Sequence, residues 1–85
     1  MDRVLFAIRS RSDISVLDGI LTRNLISHQI VNTPLVLGLS CGLSIITDET
    51  FLNDVRLLAS RANLRINAIY RVISSAYESK YLKIQ

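Results

Sequence analysis

The sequence predicts an α+β fold of the ferredoxin-like kind, with a four-stranded antiparallel sheet, two helices on one face and a C-terminal tail. Short apolar runs rich in β-branched and aromatic residues indicate strands, and two longer segments carry apolar residues at helical spacing. They alternate in the order β-α-β-β-α-β, which permits a right-handed crossover in each βαβ half. We therefore expect one domain over residues 1–73 and a tail over residues 74–85.

The first half of the chain contains two predicted strands and one helix. Residues 4–8 form an apolar run bounded by charges, which predicts the first strand. Ser12 is the expected helix N-cap, with Asp13 in the first turn. The helix should end near Ser27, and its apolar stripe recurs every three or four residues: Ile14, Leu17, Leu21 and Leu25. Residues 29–32 predict a short second strand, which Pro34 ends.

The second half repeats this pattern and adds the tail. Residues 43–47 predict the third strand, and Asp48 should cap a helix with apolar positions at Phe51, Leu52, Val55, Leu58, Ala59 and Ala62. Asn63 is the expected C-terminal stop, because asparagine tolerates the left-handed conformation. Residues 66–73 predict the fourth strand. The tail is expected to be a short helix or an arm that docks elsewhere.

The alternation of side chains along the strands predicts an apolar sheet face that the helices leave uncovered. We expect that face to carry Leu5, Ala7, Ile46, Ile69 and Ile73. A contiguous exposed apolar patch usually marks an interface. The alternative is that the tail covers this face, with Tyr77, Tyr81 and Leu82 as the lid.

Composition narrows the class of protein. The chain has 85 residues, is 49% hydrophobic and carries a net charge of +3. Its basic residues are scattered and do not interleave with aromatics, so nucleic acid is not an expected partner. The N-terminal apolar run is too short for a signal peptide, and residues 35–46 are too short and too interrupted to span a bilayer. A cytoplasmic protein with a reduced thiol is the expectation.

Cys41 is the best candidate for chemistry. As the only cysteine, in a Ser40-Cys41-Gly42 corner, it excludes an internal disulfide and a multi-cysteine metal site. His28, the sole histidine, has no complementary carboxylate at helical spacing and is expected to be an exposed junction residue. No carboxylate pair, phosphate loop or nucleophile elbow is present, so we expect neither an autonomous enzyme nor a bound cofactor. Cys41 is either a reactive thiol or a small buried hydrophobe.

Three segments of the chain resemble a known family: residues 4–21, the run from Asn32-Thr33-Pro34 through Ser40 to Thr47, and residues 63–72. They are similar to the small bacterial selenium/sulfur carrier-like proteins over residues 3–73, leaving the tail unmatched. The residues that match that family's pattern are Phe6, Ser12, Asp13, Pro34, Cys41, Gly42, Ile69 and Tyr70. The sequence departs from the pattern directly after Pro34. A polar or basic residue is common at that place in the family, whereas this chain has Leu35, Val36 and Leu37.

The resemblance implies a thiol carrier. Cys41, with Ser40 and Gly42 at its corner, would hold sulfur or selenium and pass it from a donor enzyme to an acceptor. The second hypothesis is an interaction module that dimerises or docks into a larger assembly through the apolar sheet face or the tail. Its working residues would be Ile46, Ile69, Ile73, Tyr77 and Tyr81, and Cys41 would only pack.

Overall fold

The computed structural model describes residues 2–8, 10–37, 42–74 and 79–84. In chain order the elements are β1 Arg3–Ile8, α1 Arg11–Arg23, β2 His28–Asn32, β3 Leu43–Asp48, α2 Leu52–Arg61, β4 Ile66–Ser74 and β5 Ser79–Lys83. The strands form one antiparallel sheet in the order β2-β3-β1-β4-β5. The predicted α+β class is confirmed. The predicted number of four strands is wrong, because the tail adds a fifth.

Residues 79–83 of the tail form a strand of the sheet and not a helix, and Tyr81 packs against the sheet face that the helices leave uncovered, as one of the two alternatives predicted. β5 pairs with β4 in a register that sets Tyr81 opposite Val72, and Ile84 N donates to Ile69 O at 2.7 Å. The segment carries Lys80 and Lys83, and lysines are typical of a strand at the edge of a sheet. Residues 79–84 are therefore part of the sheet.

Helix α1 begins and ends earlier than the sequence predicts. Ser10, with extended backbone angles, is the N-cap, and its hydroxyl accepts a hydrogen bond from Asp13 N at 3.2 Å. The prediction of Ser12 as the cap is wrong, since Ser12 already lies inside the helix. Leu25 adopts a left-handed conformation, with φ of 58°, two residues beyond the end at Arg23. It is exposed and does not extend the apolar stripe.

Helix α2 follows its predicted limits more closely. Asp48 accepts a hydrogen bond from Thr50 N at 2.9 Å and starts a 3-10 turn, Glu49–Phe51, that leads into the helix. Asn63, with φ of 57°, takes the predicted left-handed conformation after the helix. The cap and the stop were both readable from the sequence, because each depends on a residue type with a local conformational preference.

Both helices pack on one face of the sheet. The core on that side joins residues from α1, α2, β1, β3 and β4 and from the connection between α1 and β2: Val4, Phe6, Ile8, Ile14, Leu17, Leu21, Ile26, Ile45, Val55, Ala59 and Ile69. The prediction that Ile69 lies on the opposite face is wrong, since it is 3% exposed and pairs with Phe6. The register shifts between Ala7 and Ile8 and leaves Asn67 as an extra residue in β4, which reverses the alternation of sides.

The opposite face of the sheet holds a second cluster, which we call the far-face cluster. It consists of Leu5, Ala7, Ile46, Ala68, Tyr70 and Val72, and Val31, Leu37 and Tyr81 pack against it. Leu5 is 1% exposed and Ile46 is 8% exposed. The expected exposed apolar patch on this face is therefore absent from the described residues. None of the described helices is both long enough and apolar enough to cross a membrane.

Candidate functional site at the β2–β3 connection

Thr33 lies at the start of the connection between β2 and β3, which contains Cys41, and is hydrogen-bonded to the residues at its end. Its backbone N–H donates to Gly42 O at 2.8 Å, and its hydroxyl lies 2.6 Å from the hydroxyl of Ser44, which is buried. Pro34 follows directly and has no N–H with which to extend the strand pairing. The pairing of the strands that flank the connection therefore ends at the hydrogen bond between Thr33 and Gly42.

A 3-10 turn, Leu35–Leu37, forms the first part of this connection, and Leu37 N donates to Pro34 O at 3.1 Å. Leu37 packs against the far-face cluster, which fixes the turn on the sheet. Leu35 and Val36 are 97% and 80% exposed. Two adjacent aliphatic side chains in water are unfavourable for an isolated molecule, and such surfaces usually mark contacts with partners.

The predicted site residues are only partly brought together. Gly42 lies at the base of the connection, where an added Cβ would meet no described atom within 4 Å. Ser40, Cys41 and Tyr77 lie outside the described residues. Ile46 is in the far-face cluster and Tyr81 packs against it, Ile69 is in the helix-side core, and Ile73 is partly exposed. The four predicted interface residues that the structure describes thus do not share one exposed surface.

The connection itself contains no charge. From Asn24 to Thr47 the chain has no lysine, arginine, aspartate or glutamate, although the net charge is +3. A thiolate needs a cation or hydrogen-bond donors to be stabilised. Within this segment, the donors that the sequence supplies are hydroxyls, side-chain amides, the His28 ring and backbone N–H groups.

His28 forms a cluster that the sequence analysis missed. Its Nε2 lies 2.6 Å from Asp18 Oδ1, its Nδ1 lies 2.8 Å from Ile26 O, and its side chain is 8% exposed. The prediction of an exposed junction residue is wrong. Asp18 comes from α1, across the helix-to-strand crossover, and spacing within one helix does not reveal such a partner.

The Asp18–His28 pair connects α1 to β2 and does not resemble a catalytic base. A carbonyl oxygen only accepts, so Nδ1 donates to Ile26 O, and Nε2 is in contact with the Asp18 carboxylate. Both ring nitrogens are then occupied within the protein. Neither is left to take a proton from a substrate, which gives the pair a structural role.

A cleft of about 510 Å³ lies between α2 and β4. Its polar lining consists of Asn53, Arg56, Ser60 and Asn67, without a histidine, cysteine or carboxylate. Across the described parts of the chain, no three histidine, cysteine, aspartate or glutamate side chains are grouped as metal ligands would be. This cleft therefore offers no acid–base pair and no activated nucleophile.

No family model matches the chain, and no curated protein matches it in sequence. The resemblance to the selenium/sulfur carrier-like proteins accordingly stays a prediction.

Proposed function

We propose that this protein is a small thiol carrier, which holds sulfur or selenium on Cys41 between a donor and an acceptor enzyme. The Cys41 thiolate attacks the terminal sulfur of a persulfide on the donor. A bond forms between the two sulfurs, the donor's S–S bond breaks, and the donor leaves as a thiolate. An acceptor thiolate then takes the terminal sulfur from Cys41 by the same exchange, so no external oxidant or reductant is needed.

The observation that supports this proposal is the exposed turn at Leu35 and Val36, which immediately precedes the segment with Cys41. A carrier has to dock with two enzymes in succession, and an exposed aliphatic pair that precedes the cysteine by a few residues in the sequence suits that task. Thiol exchange needs only an accessible thiolate, so a carrier does not require an acid–base pair. Such chemistry requires a reduced thiol and favours the cytoplasm.

The ferredoxin-like description of the fold is part of the same proposal. β1 to β4 lie in the order β2-β3-β1-β4, all neighbours are antiparallel, and both helices contribute to the core on one face. β5 extends this arrangement at the β4 edge. The proposal thus treats residues 3–74 as the ferredoxin-like part and β5 as an addition.

The reactivity of Cys41 tests the carrier function directly. We expect the rate of alkylation in the folded protein to reach half its maximum below about pH 8.5, the ordinary value for cysteine. After exposure to a cysteine desulfurase and its substrate, the intact mass should rise by one sulfur atom, and reduction should reverse the change. The Cys41→Ser variant is the control and should show neither effect. A folded wild type that is not alkylated, or that gains no sulfur, contradicts the proposal.

The interaction module remains a second candidate, because the exposed Leu35 and Val36 could serve docking without any chemistry. In this form the module docks through Leu35 and Val36, while Ile46 and Tyr81 take part in the packing of the far face. A carrier predicts that Leu35→Ser with Val36→Ser slows sulfur loading from the desulfurase but leaves alkylation by a small reagent unchanged. A pure interaction module predicts no loading in either protein.

A further inference from the structure

We propose that two copies of this protein pair along the outer edge of β2, antiparallel and centred on Ile30, which joins two five-stranded sheets. This proposal goes beyond the carrier function and does not depend on it. In the described part of the chain, β2 ends the sheet on one side and β5 ends it on the other. A strand at an edge presents unpaired backbone groups that another strand can bind.

The register of β2 shows which of its residues present those groups. β2 pairs with β3 so that Ile30 lies opposite Ile45, and Thr33 N donates to Gly42 O in the same register. Backbone groups of alternate residues in an antiparallel strand point to opposite sides. The backbone N–H and C=O groups of Gln29 and Val31 therefore point towards β3, like those of Thr33. The outward groups belong to His28, Ile30 and Asn32.

The two edges of the sheet differ in charge. β5 carries Lys80 and Lys83 within its short length, and lysines on an edge strand oppose pairing with another chain. β2 contains no lysine, arginine or carboxylate and lies in the charge-free stretch between Arg23 and Asp48. In a protein with a net charge of +3, this is the edge at which a second copy meets the least repulsion.

The outward backbone donors and acceptors of β2 match those of β2 in a second copy. With a two-fold axis at Ile30, Ile30 lies opposite Ile30 of the second copy, and His28 lies opposite Asn32 of the second copy. The backbone N–H and C=O groups of all of these residues point away from β3, so each facing pair exchanges two backbone hydrogen bonds. The Ile30 side chains, each 44% exposed in the single chain, then form a cross-strand pair of the kind that stabilises sheets.

Two exposed leucines fit the same arrangement. Leu25 precedes β2 and Leu35 follows it, and both are almost fully exposed in the single chain. Antiparallel pairing brings the start of one strand to the end of the other. Leu25 of one copy and Leu35 of the second therefore come to the same end of the pair, where each reduces the other's exposure to water.

The mass in solution, measured by sedimentation equilibrium over a range of concentrations, tests the pairing. We expect a wild-type dimer at high micromolar concentration. Ile30→Lys and Ile30→Glu should each be monomeric, since the axis places two like charges opposite each other. An equimolar mixture of the two variants should dimerise again, because Lys then faces Glu. Leu82→Lys on the β5 edge, where Leu82 is 52% exposed, is the matched control and should remain dimeric.

A backbone variant tests the hydrogen bonds separately. Ile30→Pro removes an outward N–H and leaves the bonds between β2 and β3 in place, so the variant should fold and be monomeric. Circular dichroism checks that each variant is folded. A wild type that is monomeric at every concentration overturns the proposal. A dimer that persists in Ile30→Lys and Ile30→Glu, or that Leu82→Lys dissociates equally, also overturns it, because the contact would then lie elsewhere.

Discussion

Asp48 shows how one side chain sets a local boundary in this protein. It lies where β3 ends, and its carboxylate accepts the hydrogen bond from Thr50 N that starts the next turn. The backbone and then the side-chain hydrogen bond of Thr50 lower the pKa of Asp48 below its ordinary value. The folded state therefore favours the carboxylate. This contribution to stability is present above the unfolded pKa and is lost as the pH falls through the folded one.

We expect Asp48→Asn to weaken the acid dependence of stability. Asparagine can still accept from Thr50 N, so the cap is kept, but it has no proton to gain. Thermal melts should show the wild type losing stability relative to Asp48→Asn as the pH falls below about 4, the ordinary range of an aspartate. Asp48→Ala is the control and should be destabilised at every pH, because it lacks the acceptor. Parallel pH profiles for wild type and Asp48→Asn would contradict this prediction.

At the scale of the elements, the two helices end in the same motif with different residues. Ile26 N donates to Leu21 O at 3.0 Å after α1, and Leu64 N donates to Ala59 O at 2.9 Å after α2. In each motif the preceding residue is left-handed, Leu25 in one and Asn63 in the other. Asparagine tolerates this conformation, whereas for leucine it costs roughly 1–2 kcal/mol.

We expect Leu25→Gly to raise the free energy of unfolding by about 0.5–1 kcal/mol. Glycine removes the left-handed strain but adds freedom to the unfolded chain, so the gain is smaller than the strain. The exposed Leu25 side chain contributes no core packing that could be lost. Urea unfolding in an Ile30→Lys background measures the effect without self-association. Asn63→Gly is the matched control and should change stability less. An equal or greater gain at Asn63 would show that strain is not the cause.

At the scale of the whole molecule, the sheet is packed on both faces. The helices cover one face, and the far-face cluster occupies the other with help from the turn at Leu37 and from β5. β1, at the centre of the sheet, is consequently buried on both sides from Val4 to Ile8. A small domain buries a modest fraction of its surface, so a second cluster adds apolar burial that one layer of helices does not supply.

The two neighbouring residues Tyr81 and Leu82 test whether β5 belongs to that packing. Tyr81 packs against the far-face cluster, whereas Leu82 points to the other side and is largely exposed. We expect Tyr81→Ala to lower the free energy of unfolding by about 1–2 kcal/mol, because a half-buried ring is removed. Leu82→Ala should change it by less than about 0.5 kcal/mol. Chemical denaturation measures both. Equal effects, or a larger one for Leu82, would place β5 in a different register.

The sequence determined the features that depend on near neighbours along the chain. Four strands, two helices, the cap at Asp48 and the stop at Asn63 follow from periodicity and from residue types with local preferences. The single thiol at Cys41 was also evident, and its role stays a prediction. The left-handed Leu25 gave no signal, because leucine is otherwise a good helix former.

The tertiary structure decided the features that depend on which strand lies beside which. The extra residue at Asn67 moves Ile69 to the helix side, the crossover brings Asp18 to His28, and the pairing with β4 makes the tail a strand. The same pairing leaves β2 as the edge without lysines. Side-chain alternation has a period of two, so one extra residue reverses every later position in a strand. That shift is set by contacts between residues far apart in the chain, which local patterns do not encode.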